Sequence, residues 1–241
     1  MMASSTPGTR RGFLSRLVAL VGGTTIGAGA LADLEAQPTP RPASSGGASG
    51  TNEGPLVHPE DRWLDALPRG HRMVFDAYTA PGAVNAGRYC SNWFRSNMSG
   101  YSLKPDQLGG VIVLRAAATI FAFNDAMWAK YPLLGQQTKP DPATGKPFTF
   151  NPFLRPAGGE AVAQGVQWKE LTDLGVHFAV CNGTTMGLAA AMAGASSGAQ
   201  TADAVRQELA ANLVPNSHLM ATGIVAVGRA QEKGFTFGCG G

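Results

Sequence analysis

"GVHFAVCNGTTMGLAAAMAG", residues 175–194, starts as an apolar run and finishes as an alanine-rich segment, with one cysteine and a small polar group between them. The first part has the length and β-branched content of a buried strand, and the second has the composition of a helix. Parallel strands need such a crossover element to return the chain to the same edge of the sheet. Cys181 closes the strand, where strand hands over to helix.

The same alternation recurs on both sides. "RMVFDAY" (Arg72 to Tyr78) reads as a first strand, with a helix from about Gly82 to Met98. "GGVIVLR" (Gly109 to Arg115) is a second, and its unbroken β-branched run predicts burial on both faces. In "FAFNDAMWAKY" the spacing of Phe121, Met127, Trp128 and Tyr131 suits one face of a helix, a core or oligomer-contact face. A helix near Glu160 to Leu174, capped by Gly175, leads into the third strand "VHFAVC". Beyond the alanine-rich helix comes another over Ala202 to Leu213, with Thr201 as its cap. "HLMAT" is a short fourth strand, "IVAVGRAQEKG" a helix ending at Gly234, and "FTFGC" the last strand. The pattern predicts an α/β protein, a three-layer α/β/α fold around a mainly parallel five-stranded sheet.

Three segments stand apart from it. Residues 1–32 carry Arg10 and Arg11, a weakly apolar glycine-rich run from Leu17 and a small-x-small end at Ala30-Leu31-Ala32, the order of a twin-arginine export signal. Its Gly27 to Ala32 match to G-x-G-x-x-A follows no strand and names no dinucleotide site. Residues 33–58, rich in Pro, Ser and Gly, read as a disordered linker, with the folded domain over 59–241. The Pro-rich stretch 132–156 is twice the usual loop length and is expected to be a surface excursion or a lid. The expected destination is the periplasm or the exterior, with no permanent membrane anchor.

With 241 residues, 44% hydrophobic and 15% charged, the chain builds one sizeable core. Its formal charge of +3 owes several positive groups to the export segment, so nothing argues for nucleic acid as a partner. The histidines are informative by exclusion. His177 lies on the same strand face as Cys181 but four residues away, about 13 Å at roughly 3.3 Å per residue. His71 and His218 stand at strand beginnings, and His58 beside the linker. A Cys-His dyad is therefore unsupported, and no H-E-x-x-H or C-x-x-C spacing indicates a metal.

In a parallel sheet, ligand and catalytic groups gather beyond the carboxyl ends of the strands, where helix amides point outward. Cys181 has that address, and a helix N-terminus lowers a thiol's pKa and exposes its nucleophilic form. A buried inert cysteine is equally compatible with position alone. Arg115 closes the second strand, within reach of the same edge, where it could hold a thiolate or an anionic sulfur substrate or simply pair with a carboxylate. Asn124 begins a helix as a cap or a site residue, and Asn182, Gly183 and Thr184 form the turn after the cysteine.

"VHFAVCNGTTMGLAAA", "LVPNSHLMATGIVAVGRAQEKGFTF" and the element order from Arg72 onward resemble the DsrE/DsrF-like family of sulfur-relay proteins. The resemblance covers roughly residues 70–239 and includes the pattern Q-x-x-G-[YF] at Gln231 to Phe235. It implies a compact, usually oligomeric α/β domain whose strand-end cysteine, here Cys181, carries a persulfide and exchanges sulfur with a donor or acceptor protein or a small sulfur compound. Arg115, Asn124, Asn182, Gly183 and Thr184 are the substrate-binding candidates. The chain departs from the family in its export signal, linker and insertion, and in lacking the apolar turn and arginines that follow the family's cysteine. A non-catalytic binding module on the same fold, or a thiol-dependent enzyme, are the alternatives. No cofactor is expected.

Three cysteines cannot all pair within one chain. In the common strand order 2-1-3-4-5 the third and fifth strands lie about 10 Å apart, too far for a Cys181 to Cys239 bond. Free thiols are expected, with Cys181 the most reactive and Cys90 inside the first helix.

Overall fold

The computed structural model describes residues 58–155, 162–195 and 199–241, all within one unit spanning Glu53–Gly241. The expected export signal and nearly all of the linker lie outside the described residues. A 3-10 turn, Pro59–Asp61, leads into helix α1 (Arg62–Ala66), strand β1 (His71–Ala77), helix α2 (Ala80–Tyr101) and strand β2 (Leu108–Leu114). A 3-10 stretch, Ala116–Ala122, then precedes α3 (Asp125–Lys130), α4 (Leu133–Gln136) and α5 (Trp168–Asp173). The second half runs β3 (His177–Cys181), α6 (Asn182–Ala195), α7 (Ala202–Ala211), β4 (Ser217–Met220), α8 (Gly223–Glu232) and β5 (Thr236–Cys239).

All pairings are parallel, in the order β4-β3-β2-β1-β5. The continuous apolar run of β2 is thereby explained, since it is the central strand and every residue in it is buried. The order differs from 2-1-3-4-5, and β3 and β5 are separated by two strands, about 14 Å. All three cysteines are free.

The order also decides which helix covers which face. From β1 to β4 the chain steps steadily in one direction, and right-handed crossovers put all those connections on one side. The return from β4 to β5 runs the other way and carries α8 to the opposite side. Burial agrees with this. Phe75, Ile112, Leu114, Phe178 and Val180 pack with Phe94 of α2, Trp168 of α5, Leu188 of α6 and Leu209 of α7. Their strand neighbours Val74, Val111, Val113, Ala179 and Met220 pack instead with Leu64 of α1 and Ala226, Val227 and Ala230 of α8. The three-layer α/β/α architecture follows.

Local signals hold several helix ends. The side chains of Thr79, Thr201 and Thr222 accept from the amides of Gly82, Ala204 and Val225. Gly175 and Gly234 end helical segments in the left-handed region, at φ 83° and 84°. Arg72 joins the loop before β1 to the end of α8 by donating to the carbonyls of Leu67, Pro68 and Lys233 at 2.5, 2.8 and 3.0 Å.

Three expectations change. The face read across Phe121 to Tyr131 is divided, because Phe121 belongs to the 3-10 stretch and Asn124 starts a new helix by accepting from the Met127 amide. Trp128 and Tyr131 are core residues. The helix expected from Glu160 does not run through, because Gln164 and Gly165 take positive φ and α5 begins only at Trp168. The Pro-rich stretch is no lid. Its Leu134, Phe148 and Phe153 are buried in the main core, and buried Asn151 donates to the carbonyls of Phe121 and Phe123, both at 2.8 Å. Those carbonyls sit in irregular chain, where the segment gives the Phe123 carbonyl a buried partner and joins Trp168 Nε1, at 2.9 Å, on that of Phe121.

Candidate functional site around Cys181

Strands β3 and β4 are neighbours whose outgoing helices depart to opposite faces, α6 to one and α8 to the other. This is a topological switch point of the sheet, the place beyond the strand ends where open α/β sheets generally bind ligands. Cys181, the last residue of β3, stands at it, with Met220 of β4 as its register partner. Alternation along β3 turns its side chain to the α8 side, since Ala179 faces that core and Val180 the other.

The thiol is 7% exposed, set back from the surface but surrounded by donors. The Thr184 amide donates to Sγ at 3.4 Å and the Thr184 hydroxyl at 3.3 Å. Burial, the largest single influence, pushes the thiol up. The Thr184 hydroxyl and the amides of Thr184, Gly223 and Gly183 together outweigh it and hold Cys181 below its ordinary value. These amides belong to the first turns of two helices, α6 and α8, so two positive helix ends converge on one sulfur. Cys90, wholly enclosed in α2, has no such donors, and burial pushes its thiol up.

The residues after Cys181 do not form a turn. Helix α6 begins at Asn182 directly, which is what brings the Gly183 and Thr184 amides onto the sulfur. Thr185 steadies the junction by donating its hydroxyl to the Cys181 carbonyl at 2.9 Å. Asn182 approaches Met186 Sδ with its amide nitrogen, at 3.8 Å, while its buried Oδ1 has no hydrogen-bond partner.

Arg115 follows β2 directly, next to Cys181 across the sheet, and the charge of the cysteine helps raise its pKa. Its guanidinium is committed elsewhere: it donates to both carboxylate oxygens of buried Asp76, at 2.8 and 2.7 Å, and lies over the Tyr78 ring at 4.8 Å. The hydrogen bond with Asp76 is the main cause of that raised pKa. Ala116, the next residue, takes a left-handed φ of 48°, a conformation that costs an alanine about 1 kcal/mol and swings the chain away from the strand. Gly223 lets α8 close on this group, because a Cβ there would lie 2.3 Å from Arg115 Cβ.

Asn124 is placed differently. It caps α3 and donates to Asn212 Oδ1 at 3.2 Å, and it is not among the groups on Cys181. The sequence reading missed Asp76, Tyr78 and Gly223. The signals were an acidic residue inside the apolar strand "VFDAY" and the Thr-Gly pair opening "TGIVAV".

A groove of about 410 Å³ runs beside the end of β4, lined by Met220, Ala221, Val225, Arg229, Asp61 and His58. Among the described residues no helix is long and apolar enough to cross a membrane, and no group of three or more His, Cys, Asp or Glu is arranged around a common metal position. The chain matches no protein-family model, no curated protein and no solved structure.

Proposed function

We propose that this protein binds or relays sulfane sulfur through a persulfide on Cys181, as an exported domain of the DsrE-like kind. The observation that carries the reading is the convergence of the Thr184 hydroxyl and the amide ends of two helices on one thiol. A thiolate is the form that attacks sulfur, and these donors favour it over the thiol relative to an ordinary cysteine. The thiolate attacks the terminal sulfane sulfur of a polysulfide or persulfide donor. A new Cys181 S–S bond forms, the donor's S–S bond breaks, and the donor leaves one sulfur shorter as its own thiolate. The same amides can hold the charge of the resulting persulfide anion, and transfer to an acceptor thiolate reverses the step. A sulfur donor or acceptor, protein or small compound, is the implied partner, with a homo-oligomer as the working assembly.

Mass spectrometry of the purified chain after incubation with polysulfide tests the proposal. The expected result is a gain of whole sulfur atoms, removed by dithiothreitol, lost in Cys181→Ser and retained in Cys90→Ser and Cys239→Ser. A wild-type chain that gains no sulfur while its thiols remain reduced and titratable overturns it in favour of a ligand-binding module.

A further inference from the structure

A cluster of side chains with no part in the proposed sulfur chemistry stands at the opposite end of β3 and β4. His177 opens β3 and His218 is the second residue of β4, both half-buried on the face covered by α1 and α8. His177 Nδ1 and His218 Nε2 are 2.8 Å apart, the ring planes differ by 6°, and the centroids are 5.1 Å apart. That centroid separation equals the nitrogen distance plus a ring radius on either side. The imidazoles therefore lie edge to edge in one plane, with the facing nitrogens on a common axis. Trp63 of α1 lies parallel over them, 4.0 Å from the His218 ring and 5.8 Å from that of His177. Among the described residues no third His, Cys, Asp or Glu completes a metal-binding group. Zinc, which takes four ligands, is poorly served.

We propose that His177 and His218 form a two-coordinate site for a monovalent soft cation, with Cu(I) as the biological ion and Trp63 as its aromatic cover. Two coaxial imidazole nitrogens are the donor arrangement that a linear d¹⁰ ion accepts, and imidazole is a good copper ligand. The ion inserts between the two nitrogens, each giving its lone pair in a dative bond. The proton of the former inter-imidazole hydrogen bond moves to the outer nitrogen of its own ring. No electron is transferred and no proton leaves. The nitrogens move apart to about 4 Å, twice a metal–imidazole bond of roughly 2.0 Å. The two residues are diagonal across the sheet, His218 being in register with Ala179, so side-chain rotation can supply that movement. An ion midway between the nitrogens lies nearer the indole centroid than the His177 ring does, within the roughly 6 Å reach of a cation–π contact.

The test uses the full chain with Cys181→Ser and Cys239→Ser, so that accessible thiols do not take the ion, titrated anaerobically with Cu(I) against a chromophoric chelator. One equivalent is expected, with tryptophan fluorescence quenched at the same stoichiometry and the X-ray absorption edge of two-coordinate nitrogen-ligated Cu(I). His177→Gln and His218→Gln each weaken binding by roughly a hundredfold or more, and Trp63→Phe keeps the equivalent but loses most of the quenching. The proposal is overturned if a natively folded chain fails to compete with the chelator, if binding survives in the double Gln variant, or if the edge shows three or four ligands. Should the Gln variants unfold, the absorption edge of the chain with both histidines intact decides.

Discussion

Thr184→Val isolates the contribution of a single hydroxyl to the reactivity of Cys181. The substitution keeps the branched shape and the backbone amide at 3.4 Å, and removes the donor at 3.3 Å. A hydrogen bond to a charged group contributes about 1.5–3 kcal/mol, and sulfur is a weak acceptor, so the low end applies. About 1.4 kcal/mol corresponds to a tenfold smaller thiolate population wherever the thiol is mostly protonated. A more basic thiolate is also a better nucleophile, and a Brønsted coefficient of about 0.4–0.5 returns roughly threefold of that loss. Exchange with a small uncharged disulfide, measured across pH in a Cys239→Ser background, should therefore slow about threefold on the acid side. On the alkaline side, where both proteins are ionised, the variant should overtake wild type by about threefold. Thr184→Ser should follow wild type throughout. Because the folded thiol ionises below its unfolded value, thiolate formation adds stability as pH rises through the folded value and that increment is lost as pH falls through it. Rate profiles that coincide at every pH, or that drop in parallel with no crossing, would refute the reasoning.

Two substitutions separate the scaffold of the site from its reactivity. Asp76→Asn breaks the bidentate pair with Arg115, whose side chain is 27% exposed against 6% for Asp76. A fully buried pair would lose more, so about 2 kcal/mol is expected, read as a Tm lower by roughly 4–8 °C. The same change leaves the Arg115 charge uncompensated beside Cys181 and should speed disulfide exchange at neutral pH, whereas a purely structural role for Asp76 predicts slower exchange or none. Gly223→Ala pushes a methyl group into the Arg115 stem and lifts the first turn of α8 from the sulfur, costing about 1–3 kcal/mol. Calorimetry and exchange kinetics should both decline, and an unchanged exchange rate would remove the Gly223 amide from the site.

Much of the fold was legible because its strands announce themselves locally. The unbroken apolar run of β2 and the abrupt handover at Cys181 reflect burial on both faces and a crossover, properties of the segments themselves. The stretch from Phe121 to Phe153 was not legible in the same way. Its buried aromatics are separated by prolines and polar residues, and what fixes them is tertiary: Asn151 and Trp168 donate to carbonyls of the irregular chain after β2. Composition suggested an excursion because no periodicity records those bonds. Nor does any local pattern record the pair His177 and His218, which meet only because β3 and β4 are neighbours.

The site divides along the same line. That Cys181 ends a strand before a helix is written in consecutive residues, and so are the Gly183 and Thr184 donors. The second helix end is a consequence of strand order. Had β4 been followed by another strand farther out on the same edge, right-handed crossover would have carried α8 to the face of α6. Gly223 would then lie on the wrong side of the sheet to reach Sγ. The return to β5 beside β1 reverses the direction, sends α8 to the other face and sets the sulfur between two amide ends. The acidity of Cys181 is therefore in part a property of the topology, added to that of its neighbours in sequence. A circular permutant that preserves the strand order should retain it. A chain truncated before β5, which leaves α8 without its anchoring strand, should lose the Gly223 donor first and show slower exchange before its main core melts.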